Sequence, residues 1–306
     1  MNIVRVALAV PLPRFFDYLY SPDLTPIVGG RVLVPFGSQK RVGIVVDLPA
    51  SSDVAKEKLK PIIDVLDAES LFNSTTWDWL AWSANYYRAA LGDVLFQALP
   101  VKLRNGESAV KNDRTFWRIT DLGKQALESG ELKRAKKQIE ALNLLLTQDL
   151  EKGNNEIGSA IWSALKGKDY VEEIIVPTEQ KSWQQALGDN PLVNLDNRLT
   201  LNKQQALAFS QLLFQEGFNV WLLEGVTGSG KTEIYLQYIE EVLKKGKQVL
   251  VLVPEIGLTP QTVRRFQARF NVEIDVLHSN LNDTQRLNVW ERARTGQSAI
   301  LIGTRS

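Results

Sequence analysis

One octapeptide restricts the fold more than any other feature of the chain. Gly225-Val-Thr-Gly-Ser-Gly-Lys231-Thr232 satisfies the pattern G-x-x-x-x-G-K-[ST] in full. It follows the apolar run Asn219–Leu223, which reads as a strand, and opens the helical pattern Lys231–Lys244. Glycines let successive N–H groups turn inward around phosphate oxygens, at the positive end of the following helix. Lys231 reaches toward β- and γ-phosphates, and the Thr232 hydroxyl can ligate Mg²⁺. The expected nucleotide site is therefore Gly225, Val226, Thr227, Gly228, Ser229, Gly230, Lys231 and Thr232, with Lys231 and Thr232 as its catalytic pair.

The rest of the C-terminal third fits such a site. Strands at Gln248–Val253, Glu273–Leu277 and Ser298–Ile302 alternate with helices at Thr259–Phe270 and Asp283–Arg294. Continuous apolar strands between helices predict a parallel sheet covered on both faces. A phosphate loop also needs a strand ending in an acidic residue that holds Mg²⁺. Pro254-Glu255 follows one strand and Asp275 lies inside another, but neither shows four apolar residues running directly into two acids. With no helix after the last strand, the expectation is a truncated ATPase core.

At 306 residues the chain suggests about two to three domains. Its 36 basic and 35 acidic residues nearly cancel, so any nucleic-acid site must be built locally. The absence of cysteine excludes disulfides and Cys-based zinc or iron–sulfur sites, and the single histidine, His278, reads as a hydrogen-bonded structural residue. No metal site is expected from protein ligands alone. There is neither a secretory start nor an apolar run of the ~18 residues a membrane span needs, which points to a cytoplasmic protein.

The first seventy or so residues read as β, with strands over Ile3–Val10, Arg31–Pro35 and Arg41–Leu48 separated by glycine- and serine-containing turns. A helix capped at Ser74 or Thr75 follows, and its Trp79, Trp82, Tyr86 and Tyr87 are expected mostly in the core. The polar stretch Asn105–Asp113 marks a boundary. Beyond it come helices at Leu132–Leu146 and Glu156–Leu165 and an extended run, Tyr170–Val176, in a winged-helix-like order. The basic run Lys133–Lys137 reads as a solvated helix face. Pro177, Gly188, Asn190 and Pro191 give residues 177–197 the character of a linker.

These motifs together resemble a known family. The phosphate loop, then Val253-Pro-Glu-Ile-Gly-Leu-Thr-Pro-Gln-Thr262, Leu277-His-Ser-Asn-Leu-Asn282 and Ile302-Gly-Thr-Arg-Ser306, resemble the first helicase lobe of primosomal protein N′, the bacterial replication-restart DNA helicase family of superfamily 2. Val10-Pro-Leu-Pro-Arg-Phe-Phe-Asp-Tyr18 and Arg31-Val-Leu-Val-Pro-Phe-Gly37 are similar to its 3′-DNA-end-binding domain. The resemblance runs over the whole chain in order, most loosely in the middle.

It implies a multidomain α+β and α/β protein. Residues 1–105 would be a β-rich 3′-DNA-end-binding domain and 106–176 a winged-helix-like domain. After the 177–197 linker, 198–306 would be an incomplete RecA-like helicase lobe 1 with a parallel sheet. Further site residues follow from the resemblance. Gln205 would read the adenine base, and Phe16, Asp17, Gly37 and Lys60 would receive a DNA 3′ end. Thr259, Gln261, Gly303 and Thr304 would track single-stranded DNA, extended by some of Arg264, Arg265 and Arg269. Trp82 and Tyr86 would dock the tail of single-stranded-DNA-binding protein.

The implied activity is that of an ATP- and Mg²⁺-dependent 3′→5′ DNA helicase. It would recognise stalled or forked DNA, work with primosome components and reside in the bacterial cytoplasm near the nucleoid. The family's zinc has no ligands here, and its Asp-Glu-Glu-His motif and second lobe lie past Ser306, so little ATPase is expected of this chain alone. Two other readings stand beside this one: a non-catalytic module that binds fork ends, and another P-loop nucleotide hydrolase or kinase.

Overall fold

Strand-forming residues at the N-terminus pair into a five-stranded sheet. In this computed structural model β1 (Asn2–Leu8), β2 (Phe16–Tyr20), β3 (Arg31–Phe36), β4 (Gln39–Asp47) and β5 (Asp64–Val65) lie in the order β2-β1-β4-β3-β5, antiparallel throughout. The structure describes residues 2–108, 114–129, 132, 135–152, 157–176, 180–213, 217–254, 257 and 260–304. Strands β3 and β4 are joined by the two-residue loop Gly37-Ser38, in which Gly37 takes φ +60°, the conformation that hairpin loops of this length demand. Val4, Val6, Val32, Val34 and Val45 form the core beneath.

Three helices close this region: α1 (Ser74–Tyr86), α2 (Leu91–Gln97) and α3 (Val101–Arg104). The cap of α1 is Asn73, whose side chain accepts from the Thr76 amide, so the expected cap at Ser74 or Thr75 is corrected by one position or two. An Asn side chain one residue earlier meets the orphan amides of the first turn equally well. Gly92 lets α2 sit on β1, because a Cβ there would fall 2.0 Å from the Leu8 carbonyl oxygen. A buried ion pair fastens α3. Arg31 Nη2 meets Asp67 Oδ1 at 2.7 Å, and Arg31 Nη1 donates to the carbonyls of Leu103 and Glu107 at 2.6 and 2.8 Å.

Residues 110–180 form a separate compact unit. It contains β6 (Arg114–Ile119), α4 (Asp121–Ser129), α5 (Lys136–Thr147), β7 (Leu150–Glu151), α6 (Ser159–Lys166) and β8 (Val171–Val176). The three strands pair in the order β7-β6-β8, and Trp117 stacks on Trp162 at 5.4 Å over a core with Ala141, Leu142 and Leu165. Helix α5 begins at Lys136 rather than Leu132, and Lys133 and Arg134 lie outside the described residues.

Residues 1–109 and 181–306 make up the other unit. Its second half runs α7 (Trp183–Leu187), α8 (Lys203–Leu213), α9 (Lys231–Lys244), β9 (Val249–Leu252), α10 (Pro260–Arg269), β10 (Ile274–Leu277), α11 (Asp283–Arg294) and β11 (Ile300–Gly303). Three strands form a parallel sheet in the order β10-β11-β9 over a core of Leu236, Leu243, Phe266, Phe270, Ile300 and Ile302. The stretch read as a linker contributes α7, and its Trp183 and Val193 join this core. Arg294 at the end of α11 lies 3.5 Å from the Ser70 carbonyl of the N-terminal region.

Two strand expectations are corrected. Residues 219–223 form no strand, and Val220 and Leu222 are more than four-fifths exposed. An apolar run becomes a parallel strand only where neighbours complete its ladder, and β9 and β10 each pair on one side only, with β11. Nor is β9 covered on both faces: Val249 and Val251 pack inward, while Leu250 and Leu252 face out at 61% and 68% exposure. Among the described residues no helix is long and apolar enough to cross a membrane.

Candidate functional site

The phosphate loop leads directly into α9, whose N-cap is Gly230. Gly228 and Gly230 adopt φ +83° and +82°, the left-handed region that costs other residues about 1–2 kcal/mol. That conformation accounts for glycine at both positions. The Lys231 ammonium folds back onto the loop, donating to the carbonyls of Gly225 and Val226. Thr232 Oγ1 accepts from the Tyr235 hydroxyl at 3.0 Å, which leaves its own proton and one lone pair available.

Gln205 is brought to the same place from α8. It exchanges reciprocal bonds with Asn202 at the start of that helix, and its Nε2 donates to the Ser229 carbonyl at 2.8 Å. One amide proton and one oxygen lone pair of Gln205 remain, enough for one edge of a base. Beside the loop opens a cavity of about 810 Å³ between Thr227–Glu233, the segment around Asn197 and Leu199, and helix α10. The residues present fit a nucleotide: backbone amides at a helix N-terminus, a lysine, a hydroxyl and an apolar flank at Leu199 and Leu236.

A second cavity, of about 580 Å³, lies in the N-terminal region and is lined by Phe16, Asp17, Gly37 and Lys60. Strand pairing explains the convergence. Phe16 and Asp17 begin β2, Gly37 turns the β3–β4 hairpin, and Lys60 is held beside β2 by its carbonyl accepting from the Leu19 amide at 2.9 Å. Phe16 packs edge-on against Phe36 at 5.2 Å, and the Arg14 guanidinium lies 5.0 Å from its ring centre. Asp17 is bound by both nitrogens of the Arg5 fork and by the Ser52 hydroxyl at 2.6 Å. The Arg5 hydrogen bonds hold its carboxyl below the ordinary value, with Ser52 acting in the same direction and burial against it. Burial pushes the neighbouring Tyr18 up to about 12. Arg14, Lys58 and Arg5 also line this cavity, so its charge is positive despite Asp17 and Asp53.

Four aromatic residues on and just after α1 are not core. Trp79, Trp82, Tyr86 and Tyr87 are 53% to 74% exposed, and Trp82 stacks on Tyr86 at 4.9 Å. Helical spacing put them on one side; the buried side of the helix is instead Leu80 and Ala84.

The remaining expectations scatter. Gln261 stands exposed in the first turn of α10, Gly303 ends β11, and Thr304 is buried with its amide donating to the Leu277 carbonyl. Thr259 and Glu255 lie outside the described residues. Asp275 is taken by Arg292 at 2.9 Å, and His278 Nδ1 accepts from the Asn280 amide within its turn. Reading by motif missed Arg5 and Ser52, whose only sequence signal is that Arg5 stands opposite Asp17 once β1 and β2 pair.

Residues 5–100 match the 3′DNA-binding domain (3′BD) family, and residues 202–306 match the DEAD/DEAH box helicase family. Over all 306 residues the chain is 74% identical to the replication restart protein PriA of Haemophilus influenzae, covering 42% of that protein. It is 33% identical to the protein of the same name from Buchnera aphidicola (Acyrthosiphon pisum), over 99% of this chain and 41% of that one. Against the Bacillus subtilis protein the identity is 27%, over 100% of this chain and 47% of the other. The chain thus spans about two fifths of the length of the first two of these relatives.

Proposed function

We propose, from the likeness of the whole chain to replication restart proteins, that it is the DNA-end-binding and first-lobe portion of an ATP-dependent 3′→5′ DNA helicase acting at stalled forks. The observation that carries the reading is the convergence of Phe16, Asp17, Gly37 and Lys60 on one cavity in a chain that also bears a complete phosphate loop. Residues 1–105 take the 3′ end of a nascent strand, 106–176 form the winged-helix-like domain, and 198–306 hold ATP and Mg²⁺ through Lys231 and Thr232. Bound ATP supplies the energy for stepwise movement on DNA when this lobe works against a second one.

The end cavity suits a terminal nucleotide. Phe16 offers a ring, Lys60 a cation for phosphate, and Gly37 a backbone with open space where a Cβ would stand. Asp17 accepts the 3′ hydroxyl. Trp82 and Tyr86 dock the tail of single-stranded-DNA-binding protein, consistent with their exposure, and Gln261, Gly303 and Thr304 with Thr259 follow the single strand. Primosome components and a cytoplasmic, nucleoid-associated location complete the proposal.

Fluorescence anisotropy with oligonucleotides ending in a 3′ hydroxyl or a 3′ phosphate tests it. The hydroxyl end binds about tenfold or more tightly, because the phosphate removes a donor and brings like charge against Asp17. Equal binding of the two ends by the wild-type chain would remove the end-recognition role.

A further inference from the structure

The arginines of residues 181–304 are nearly all committed to other protein groups. Arg198 faces Glu240 and Gln237, and Arg269 binds Glu233 and the Asn197 carbonyl. Arg286 donates to the carbonyls of Leu281, His278 and Ser279, while Arg292 pairs with Asp275 and Glu273 and Arg294 with Glu291. Among the described residues of this stretch only Arg264 and Arg265 lack such partners, and of these two only Arg265 lines the cavity beside the phosphate loop.

Position along α10 says which part of a nucleotide it meets. Arg265 stands one turn, ~6 Å, before Arg269 on the same face of the helix. Arg269 already reaches Glu233 in the first turn of α9, at 3.0 Å. Helices α9 and α10 run in the same sense, since each leads through a short turn into a strand, β9 and β10, of one parallel sheet. One turn before Arg269 is therefore level with the N-terminus of α9, where phosphates bind. The local charge agrees. Glu233 and Glu240 are answered by Arg269, and the Lys231 ammonium rests on loop carbonyls.

We infer that Arg265 supplies the nucleotide site with a second cation, a guanidinium that grips the polyphosphate from helix α10. This rests on the nucleotide reading of the phosphate loop and adds to it a residue outside the motif. A planar fork pairs with two phosphate oxygens at once, which lysine does not do. The ligand class is a nucleoside di- or triphosphate rather than a monophosphate.

Displacement of a fluorescent nucleotide from the full chain tests the inference, with ATP, ADP and AMP as competitors and single-stranded oligonucleotide binding measured in parallel. Arg265→Gln weakens ATP and ADP about tenfold or more and AMP less, while Arg264→Gln changes none of them. Oligonucleotide binding stays at the wild-type level in Arg265→Gln. Since both side chains are exposed, circular dichroism of the variants matches the wild type. Wild-type ATP affinity in Arg265→Gln, with binding lost in Lys231→Ala, overturns the inference and leaves the nucleotide reading standing. An equal drop for ATP and AMP, or a drop confined to oligonucleotide, overturns it too. If the wild-type chain binds none of the three nucleotides, the reading of the loop fails and the inference with it.

Discussion

Arg5 grips Asp17 across β1 and β2 with both arms of its guanidinium, Nε to Oδ1 at 2.8 Å and Nη2 to Oδ2 at 3.1 Å. Ser52 takes a further position on Oδ2. A carboxylate has about four acceptor positions, so three are filled and one, on Oδ1, remains for a hydroxyl donor. The same pair that ties two strands together thus leaves room for a single ligand bond.

Because Asp17 is held below its ordinary value in the folded chain, it stabilises the fold above its unfolded value, near 3.8. That contribution is lost as pH falls through the lower folded value. Asp17→Asn should therefore cost about 1–3 kcal/mol at pH 7 and progressively less in acid. Chemical denaturation of both proteins at pH 7 and at pH 3 checks this, and a difference that grew in acid would contradict the pairing. Ser52→Ala frees an acceptor position without breaking the Arg5 grip, so binding of hydroxyl ends survives it.

Lys231→Ala should abolish nucleotide binding, because it removes the loop's own cation at the β- and γ-phosphates. Binding of DNA 3′ ends should persist, since the end cavity shares no lining residue with the loop cavity. Calorimetry with ATP and anisotropy with DNA on one preparation separate the two. Near-normal ATP affinity in the variant would sink the assignment of the loop.

Exposure decides the reading of α1. Replacing a core tryptophan by alanine costs about 3–5 kcal/mol, whereas an exposed one costs within about 0.5 kcal/mol. Trp82→Ala belongs to the second class and should leave stability unchanged. It should nonetheless weaken binding of a peptide with the sequence of the single-stranded-DNA-binding protein tail, as should Tyr86→Ala. A titration followed by tryptophan fluorescence reports both, and a stability loss of several kcal/mol would return Trp82 to the core.

Much of this was legible where local chemistry alone sets the outcome. Helices Lys231–Lys244 and Asp283–Arg294 have the bounds their patterns predict, the second with its Asn282–Gln285 capping box. The phosphate loop is legible for the same reason. What failed depends on partners distant in the chain. Residues 219–223 have the composition of a strand but no completed ladder, and Trp183 leaves a glycine- and proline-marked stretch to enter a core made by Phe266 and Ile300. The side of α1 that faces inward is set by what packs on it, and periodicity names the stripe without naming its neighbour. The end cavity gathers four residues from three separate segments, which spacing alone cannot bring together.

Gly228 and Gly230 offer a last test, because they share a backbone conformation but not a neighbour. Both lie near φ +82°, so alanine at either position carries the same left-handed strain, about 1–2 kcal/mol. At Gly228 a Cβ meets nothing within 4 Å, whereas at Gly230 it would stand 2.3 Å from Gln205 Nε2. Gly230→Ala must therefore also push Gln205 off the Ser229 carbonyl. If that bond shapes the loop for phosphate, Gly230→Ala weakens ATP binding more than Gly228→Ala. Gln205→Ala, which removes the obstructing amide, should narrow the gap between them. Equal losses in the two glycine variants, measured as ATP dissociation constants, would mean that backbone strain alone governs the loop and that Gln205 does not support it.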